Sequence, residues 1–250
     1  MRKKRVLILG GTEEAYALAN AVRDMHGLQA VTSLAGRTSD PREPAGEVRR
    51  GGFGGRRGLE DYLKSEKVDL VVDATHPFAT AMSRHAHAAC ENLRVPKLHV
   101  ERPPWEEKAG DAWVRVSDMT RAADALADHP GVSFLTIGRQ ELGAFRRWPG
   151  RTFLVRLAET PGEPLPLPEA NVILTIGKGP ETVSGEALLM TRHAVASLVT
   201  RNSGAESGRP KLEAARQLGI PVIMVERPPP PGGPRAPDVA GAVRWLKKQR

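Results

Sequence analysis

Apolar and polar positions fall in blocks along this chain, and the blocks predict strands alternating with helices. Apolar runs at 5–9, 29–34, 68–73 and 97–100, with a short one at 47–50, read as strands. Val68–Asp73 is apolar on both faces, as a buried parallel strand is. Ala15, Leu18, Ala19 and Val22 share one face of a helix predicted from Glu13 to about His26, with Gly27 as its stop. Further helices are predicted at about 59–66 and up to Asn92. The second half continues with strands at 133–137, 152–157, 171–176, 196–200 and 222–225 and a helix at 211–218. Two more helices are expected at about 118–127 and 238–248. The stretches 161–168, with four prolines, and 228–237, with six, read as loops.

The same phrase is written twice. Residues 96–104 are PKLHVERPP and residues 221–229 are PVIMVERPP, 125 positions apart in a chain of 250. Each copy follows a helix, a proline and a short apolar run. Strand ends also match at a similar offset, Gly10 with Gly138. The expected fold class is α/β: two similar Rossmann-like domains, each with a mainly parallel sheet flanked by helices, and the active site in the interdomain cleft. The first domain is expected over 1–104 and the second over 105–236, with a C-terminal helix at 237–250 packing back on the first. Each Val-Glu-Arg-Pro-Pro is read as architecture, the end of a last strand and the exit from a domain.

Composition narrows the function. Cys90 is the only cysteine, so no intrachain disulfide forms and a reducing compartment is expected. The N-terminus is basic, but its apolar run stops at Gly10-Gly11, too short for a secretory signal. No segment has the roughly 18–20 apolar residues of a membrane span. A cytoplasmic protein, acting as a monomer, is expected. The net charge of +8 attracts anions. Aromatic residues make up only 4% and the basic residues are dispersed, which argues against nucleic acid and leaves a phosphorylated cofactor or a polycarboxylate. No Cys/His cluster has zinc spacing, and no metal is expected.

In a parallel sheet, ligands sit beyond the carboxyl ends of the strands. Gly10-Gly11-Thr12 turns the first strand into the first helix, where backbone N–H groups and the helix dipole favour a pyrophosphate; an ordinary tight turn accounts for these residues equally well. The second strand ends Ser33-Leu34-Ala35-Gly36-Arg37-Thr38, with no acid before Asp40. An arginine here suits the 2′-phosphate of NADP, with Ser33 or Thr38 assisting. Thr75-His76-Pro77-Phe78 follows the fourth strand, where a nicotinamide would lie. Thr75 and His76 are the candidate proton-handling residues, with Thr75, Pro77 and Phe78 lining the ring. In the second half, successive strand ends carry Arg139-Gln140, Lys178 and Arg201-Asn202-Ser203, which suit carboxylates.

Taken in order, these motifs resemble the precorrin-6A reductase family of cobalamin biosynthesis. The matching residues include Ile8–Glu13, Ala35–Arg37, Gly51–Gly55, Asp73–Ala79, Glu101–Trp105, Ile137–Gln140, Gly177–Pro180 and Asn202–Gly204. The resemblance implies NADPH-dependent reduction of one C=C bond of the precorrin-6A macrocycle, giving precorrin-6B. It implies a first domain that binds NADPH and a second that binds the polycarboxylate tetrapyrrole, with hydride crossing the cleft. Reduction of cobalt-precorrin-6A, or NADP binding without turnover, are the alternatives.

Overall fold

The computed structural model describes residues 2–249 apart from 36–42, 178 and 181. The chain divides into two units: Met1–Pro103 with Pro228–Arg250, and Pro104–Arg227. The first unit contains β1 (Lys4–Leu9), α1 (Glu13–Arg23), β2 (Leu28–Leu34), β3 (Glu47–Arg50), α2 (Gly55–Ser65), β4 (Leu70–Asp73), α3 (Thr80–Leu93) and β5 (Lys97–Val100). The second contains β6 (Trp113–Val116), α4 (Met119–Ala125), β7 (Val132–Thr136), β8 (Phe153–Leu157), β9 (Val172–Ile176), α5 (Val183–Arg192), β10 (Val195–Arg201), α6 (Arg209–Gln217) and β11 (Val222–Val225). The chain then returns to the first unit with β12 (Arg235–Ala236) and α7 (Val239–Lys248).

The sheets have matching orders, β12-β5-β4-β1-β2-β3 and β6-β11-β10-β7-β8-β9. Every strand pairing is parallel. The strand after each Val-Glu-Arg-Pro-Pro pairs with the strand before the other copy: β6 with β11, and β12 with β5. The second unit therefore ends at Arg227 rather than at 236, because residues 228–236 lead to a ladder on β5. Register also shifts one pairing made from spacing. Leu9 lies opposite Asp73 as Thr136 lies opposite Thr200, so Gly11, not Gly10, corresponds to Gly138.

β1 is buried on both faces. Val6 and Ile8 pack with α1 and α7 through Ala15, Leu18, Ala242 and Leu246. Leu7 and Leu9 pack against α2 and α3 through Leu59, Leu63, Ala86 and Cys90. In the second unit Phe134 joins Leu154, Met190, Leu198, Leu212 and Met224. Asp118 Oδ1 accepts the Arg121 N–H at 2.9 Å and Asp238 Oδ1 accepts the Gly241 N–H at 2.6 Å, so α4 and α7 begin with the same cap.

Several elements differ from the sequence expectation. α1 stops at Arg23, since the Met25 N–H bonds back to the Val22 carbonyl and a turn follows. α2 starts at Gly55 rather than near Leu59. Gly58 permits this first turn, because a Cβ there would fall 1.7 Å from the Phe53 carbonyl oxygen. The segment after Gly138 is a 3-10 helix, Arg139–Arg147. α5, β6 and β12 were not expected.

Leu246 is fully buried against the first unit's core. Leu246→Ala is expected to lower the unfolding free energy by about 2–5 kcal/mol in urea titrations. A change within about 0.5 kcal/mol, the range of ordinary surface substitutions, would show α7 to be dispensable to this unit.

Candidate active site

At the carboxyl edge of the first sheet, β1 gives way to α1 in three residues. The Gly10 N–H donates to the Ser33 carbonyl at 3.1 Å, and the Ala74 N–H donates to the Leu9 carbonyl at 2.9 Å. A Cβ on Gly10 would come within 2.4 Å of Ala15 Cβ, so only glycine lets the strand approach its helix this closely. Gly11 has φ +119°, with nothing within 4 Å of its Cβ position. Thr12 caps α1 by accepting the Ala15 N–H at 3.3 Å, and donates its own hydroxyl to the Ala74 carbonyl at 2.7 Å. That second bond joins the Gly10-Gly11-Thr12 turn to the turn after β4.

In the turn after β4, the Thr75 hydroxyl donates to Asp73 Oδ1 at 2.7 Å and lies 3.2 Å from Ser83 Oγ. His76 Nδ1 accepts the Phe78 N–H at 3.2 Å, which leaves the neutral ring's proton on Nε2. The His76 and Phe78 rings lie 5.8 Å apart. Asp73 is fully buried. Burial alone pushes its carboxyl upwards, but hydrogen bonds from His99, Ser83 and Thr75 and the nearby imidazole hold it below the usual range. Arg102, from the first Val-Glu-Arg-Pro-Pro, grips Glu14 of α1 at 2.8 and 2.6 Å. Burial pushes Glu14 up, and the Arg102 contact, with hydrogen bonds from its own backbone N–H and from Thr12, together more than offset it.

Ser33 is nearly buried, and its hydroxyl accepts from Arg49 at 3.3 Å. Arg49 also donates to the Gly51 and Gly52 carbonyls and stacks 3.8 Å from the Phe53 ring centre. It thereby holds the glycine-rich turn that sequence reading left unexplained. Arg37 and Thr38 lie outside the described residues. The structure thus groups Gly10, Gly11, Thr12, Ser33 and the Thr75–Phe78 turn at one sheet edge. The open backbone at Gly11, beside a capped helix start, fits a dinucleotide pyrophosphate.

At the matching edge of the second sheet, Glu141 accepts the Gly138 N–H at 2.8 Å and pairs with Arg201 at 3.3 Å. Arg139 pairs with Glu163 at 2.9 Å, and that glutamate is 80% exposed. Gln140 is exposed, and Ser203 Oγ accepts the Ala205 N–H at 3.4 Å. Lys178 lies outside the described residues. Asn202 corrects the sequence expectation of ligand contact. It is buried; its Oδ1 accepts the Trp105 N–H at 2.7 Å and its Nδ2 donates to the Trp105 carbonyl at 3.1 Å. It holds the chain entering this unit in place.

Two residues passed over in the sequence stand nearby. Arg156 makes a buried fork with Glu186, 2.7 and 2.8 Å, and a Cβ on Gly179 would strike its guanidinium at 2.3 Å. Lys211 lies 5.5 Å from the Trp105 ring centre. Burial lowers its ammonium to about 8; Glu186 opposes the shift, while Arg156 and Arg201 add to it. The clue was faint: a glycine immediately after Lys178, and a lysine in the first turn of a proline-led helix.

Paired Rossmann-like units of identical strand order, with a glycine turn opening the first, define the class as a two-unit parallel α/β protein. The chain belongs to the family described as "Precorrin-6x reductase CbiJ/CobK", whose pattern matches residues 5–247. It is 46% identical to the precorrin-6A reductase of Rhodococcus erythropolis over 243 residues, covering 97% of each chain. It resembles the solved structure of "CobK precorrin-6A reductase" with TM-score 0.91 and 43% identity, covering 98% of this chain and 96% of that one. Likeness to the cobalt-precorrin-6A reductase of Priestia megaterium is lower, 29% over 233 residues, covering 89% of this chain and 90% of that one. Among the described residues, no helix is long and apolar enough to cross a membrane.

The lowered Lys211 sets a stability prediction. Between pH 8 and 10.5 the unfolded chain holds a proton on this lysine that the folded chain has released, so its contribution to stability rises with pH across that window. Lys211→Met removes the buried charge. It is expected to raise Tm at about pH 7 and to lose that advantage by about pH 10.5, measured by calorimetry. An equal gain at both pH values would show that the lysine's charge is not the source.

Proposed function

We propose that this protein reduces one carbon–carbon double bond of precorrin-6A with NADPH, giving precorrin-6B. The single observation that carries the reading is full-length likeness to proteins named precorrin-6A reductase. The weaker likeness to cobalt-named relatives favours the metal-free macrocycle as substrate.

Gly11 and Thr12 would present backbone N–H groups to the pyrophosphate at the start of α1, while Gly10, whose N–H is held by the Ser33 carbonyl, lets β1 run close to that helix. Arg37, with Ser33 and Thr38, takes the 2′-phosphate. Thr75, Pro77 and Phe78 line the ring site. When bound, NADPH supplies the hydride, and the protein supplies orientation and charge. The reaction also consumes one proton. His76, with its ring proton on Nε2 in the turn after β4, is the proposed donor, and solvent restores that proton as it is given up. Arg139, Gln140, Lys178, Arg201 and Ser203 receive the substrate carboxylates. The exposed Arg139–Glu163 pair is worth only about 0–1 kcal/mol, so a substrate carboxylate displaces Glu163 at little cost; the Arg201–Glu141 pair is half-buried and Glu141 also holds the Gly138 N–H, so displacement there costs more.

The purified protein, given NADPH and precorrin-6A, is expected to oxidise one NADPH per macrocycle, with two hydrogens gained in the product's mass. NADPH binding without oxidation would leave a regulator instead. Arg37→Ala is expected to weaken NADPH binding about 10- to 100-fold, the loss of a charge-assisted contact, and to leave NADH nearly unaffected. Equal losses for the two cofactors would remove Arg37 from the phosphate site.

A further inference from the structure

The face of the first sheet under α2 and α3 is mostly apolar, yet at β4 and β5 it carries a chain of polar side chains. Thr75 Oγ1 is 2.7 Å from Asp73 Oδ1, Asp73 Oδ2 is 3.1 Å from His99 Nδ1, and His99 Nε2 is 3.9 Å from Glu101 Oε2. Asp73 is 0% and His99 3% exposed. Lys97 from β5 and Ser83 and Cys90 from α3 border the same chain. Burying a carboxylate and an imidazole is expensive, and such pairs are often no better for stability than apolar replacements.

The second unit supplies an internal control. Asp73 lies opposite His99, and Thr200 lies opposite Met224 at the same place in the repeat. Met224 packs there with Leu198, Leu212 and Val222. The same strands, in the same order and register, stand without an acid–imidazole pair. The architecture therefore does not require one.

We propose that His99 is a positioning residue for the reduction: its hydrogen bond fixes the Asp73 carboxylate, which in turn fixes the Thr75 hydroxyl and the turn from Ala74 to Phe78. The inference rests on the reading of that turn as the ring site under the proposed function. Asp73 acts at the hinge between framework and site. One oxygen faces His99, and the other receives both the Thr75 hydroxyl and, at 3.2 Å, the Thr75 N–H. The buried imidazole thereby sets the direction of a hydroxyl at the strand ends.

The double variant Asp73→Thr/His99→Met copies the pair of the second unit into the first. It is expected to fold, with a cooperative thermal transition and NADPH affinity (by fluorescence titration) within about threefold of wild type, while kcat for precorrin-6A falls about 10- to 100-fold. His99→Asn, whose Nδ2 stands where the ring Nδ1 does and still donates to Asp73, is expected to keep kcat within about fivefold, and His99→Leu to lose as much as the double variant. Thr75→Val added to His99→Leu should cost little more than either alone, as expected of groups acting through one another. A folded double variant with wild-type kcat overturns the proposal, and so do equal losses in the asparagine and leucine variants. A double variant that does not fold overturns it too, by making the pair structural. Wild-type protein without NADPH-dependent turnover would instead defeat the functional reading itself.

Discussion

The parallel pairing of β5 with β12, and of β11 with β6, is the constraint on which the rest of the structure depends. Parallel neighbours cannot be joined by a tight turn, so each edge strand must arrive from a distance. Here β12 reaches β5 from the far side of the second unit's sequence, and β6 meets β11 across the whole length of their own unit. The Glu101 N–H donates to the Ala236 carbonyl at 2.9 Å, and the Glu226 N–H to the Val116 carbonyl at 2.8 Å. The doubled Val-Glu-Arg-Pro-Pro then has a residue-by-residue meaning. Valine ends the strand, and glutamate gives its N–H to the incoming strand. Arginine turns back, Arg102 onto Glu14 and Arg227 Nε onto the Asn202 carbonyl at 2.7 Å. The two prolines, without N–H groups, end the ladder. What looked like an exit signal is also the device that ties each strand-end turn to its sheet.

On this common frame the units diverge at equivalent positions. Thr75 and Asn202 occupy the same place after their strands, yet they serve different ends. Asn202 bonds both backbone groups of Trp105 and closes its turn. Thr75 hangs from Asp73, which a second buried side chain supports. Beneath them lie Ser83 in the first unit, 3.2 Å from the Thr75 hydroxyl, and Gly208 in the second, where a Cβ would meet the Trp105 ring at 2.5 Å. One unit fills the space with an indole and an apolar core, the other with hydroxyls, a carboxylate and an imidazole. Buried polar groups cost stability unless they are partnered, so this difference marks a place where something other than stability has acted.

What the sequence reveals follows from how local each interaction is. β1 and β4 are legible because burial on both faces makes them continuously apolar. α1 is legible because its buried residues recur at helical spacing and Thr12 caps it. β12 was hidden in a proline-rich stretch because two residues suffice once β5 offers its edge, and that offer comes from far away in sequence. β6, with Trp113 and Arg115 in a run of four, lacks the apolar continuity of a central strand and depends on β11 for its identity. α5 begins Val-Ser-Gly and forms because Thr182 accepts the Gly185 N–H at 3.2 Å and Glu186 meets Arg156. In the site, Gly10, Gly11 and Thr12 announce themselves through adjacency. Asp73 with His99, Glu141 with Arg201, and Arg49 with the 51–52 carbonyls do not, because a pattern of residue types carries no information on which distant side chain each will meet.

The arginines of the second unit show how one side chain can be framework or recognition group, according to burial. Arg156 and Glu186 have side chains 9% and 3% exposed and meet as a fork; separating them would strand two charges away from water. No ligand carboxylate displaces Glu186 cheaply. Arg139 and Arg201 stand at the strand ends with partly exposed partners, and water screens what they would lose. Under the proposed function these are the cations that exchange an internal carboxylate for one on the substrate. Before binding, Glu163 and Glu141 keep the guanidiniums oriented and their mutual repulsion low. After binding, Glu163 returns to solvent and Glu141 keeps its hydrogen bond from the Gly138 N–H. A strongly cationic protein can in this way hold a polyanion site without the instability of unpaired positive charge at one edge of its sheet.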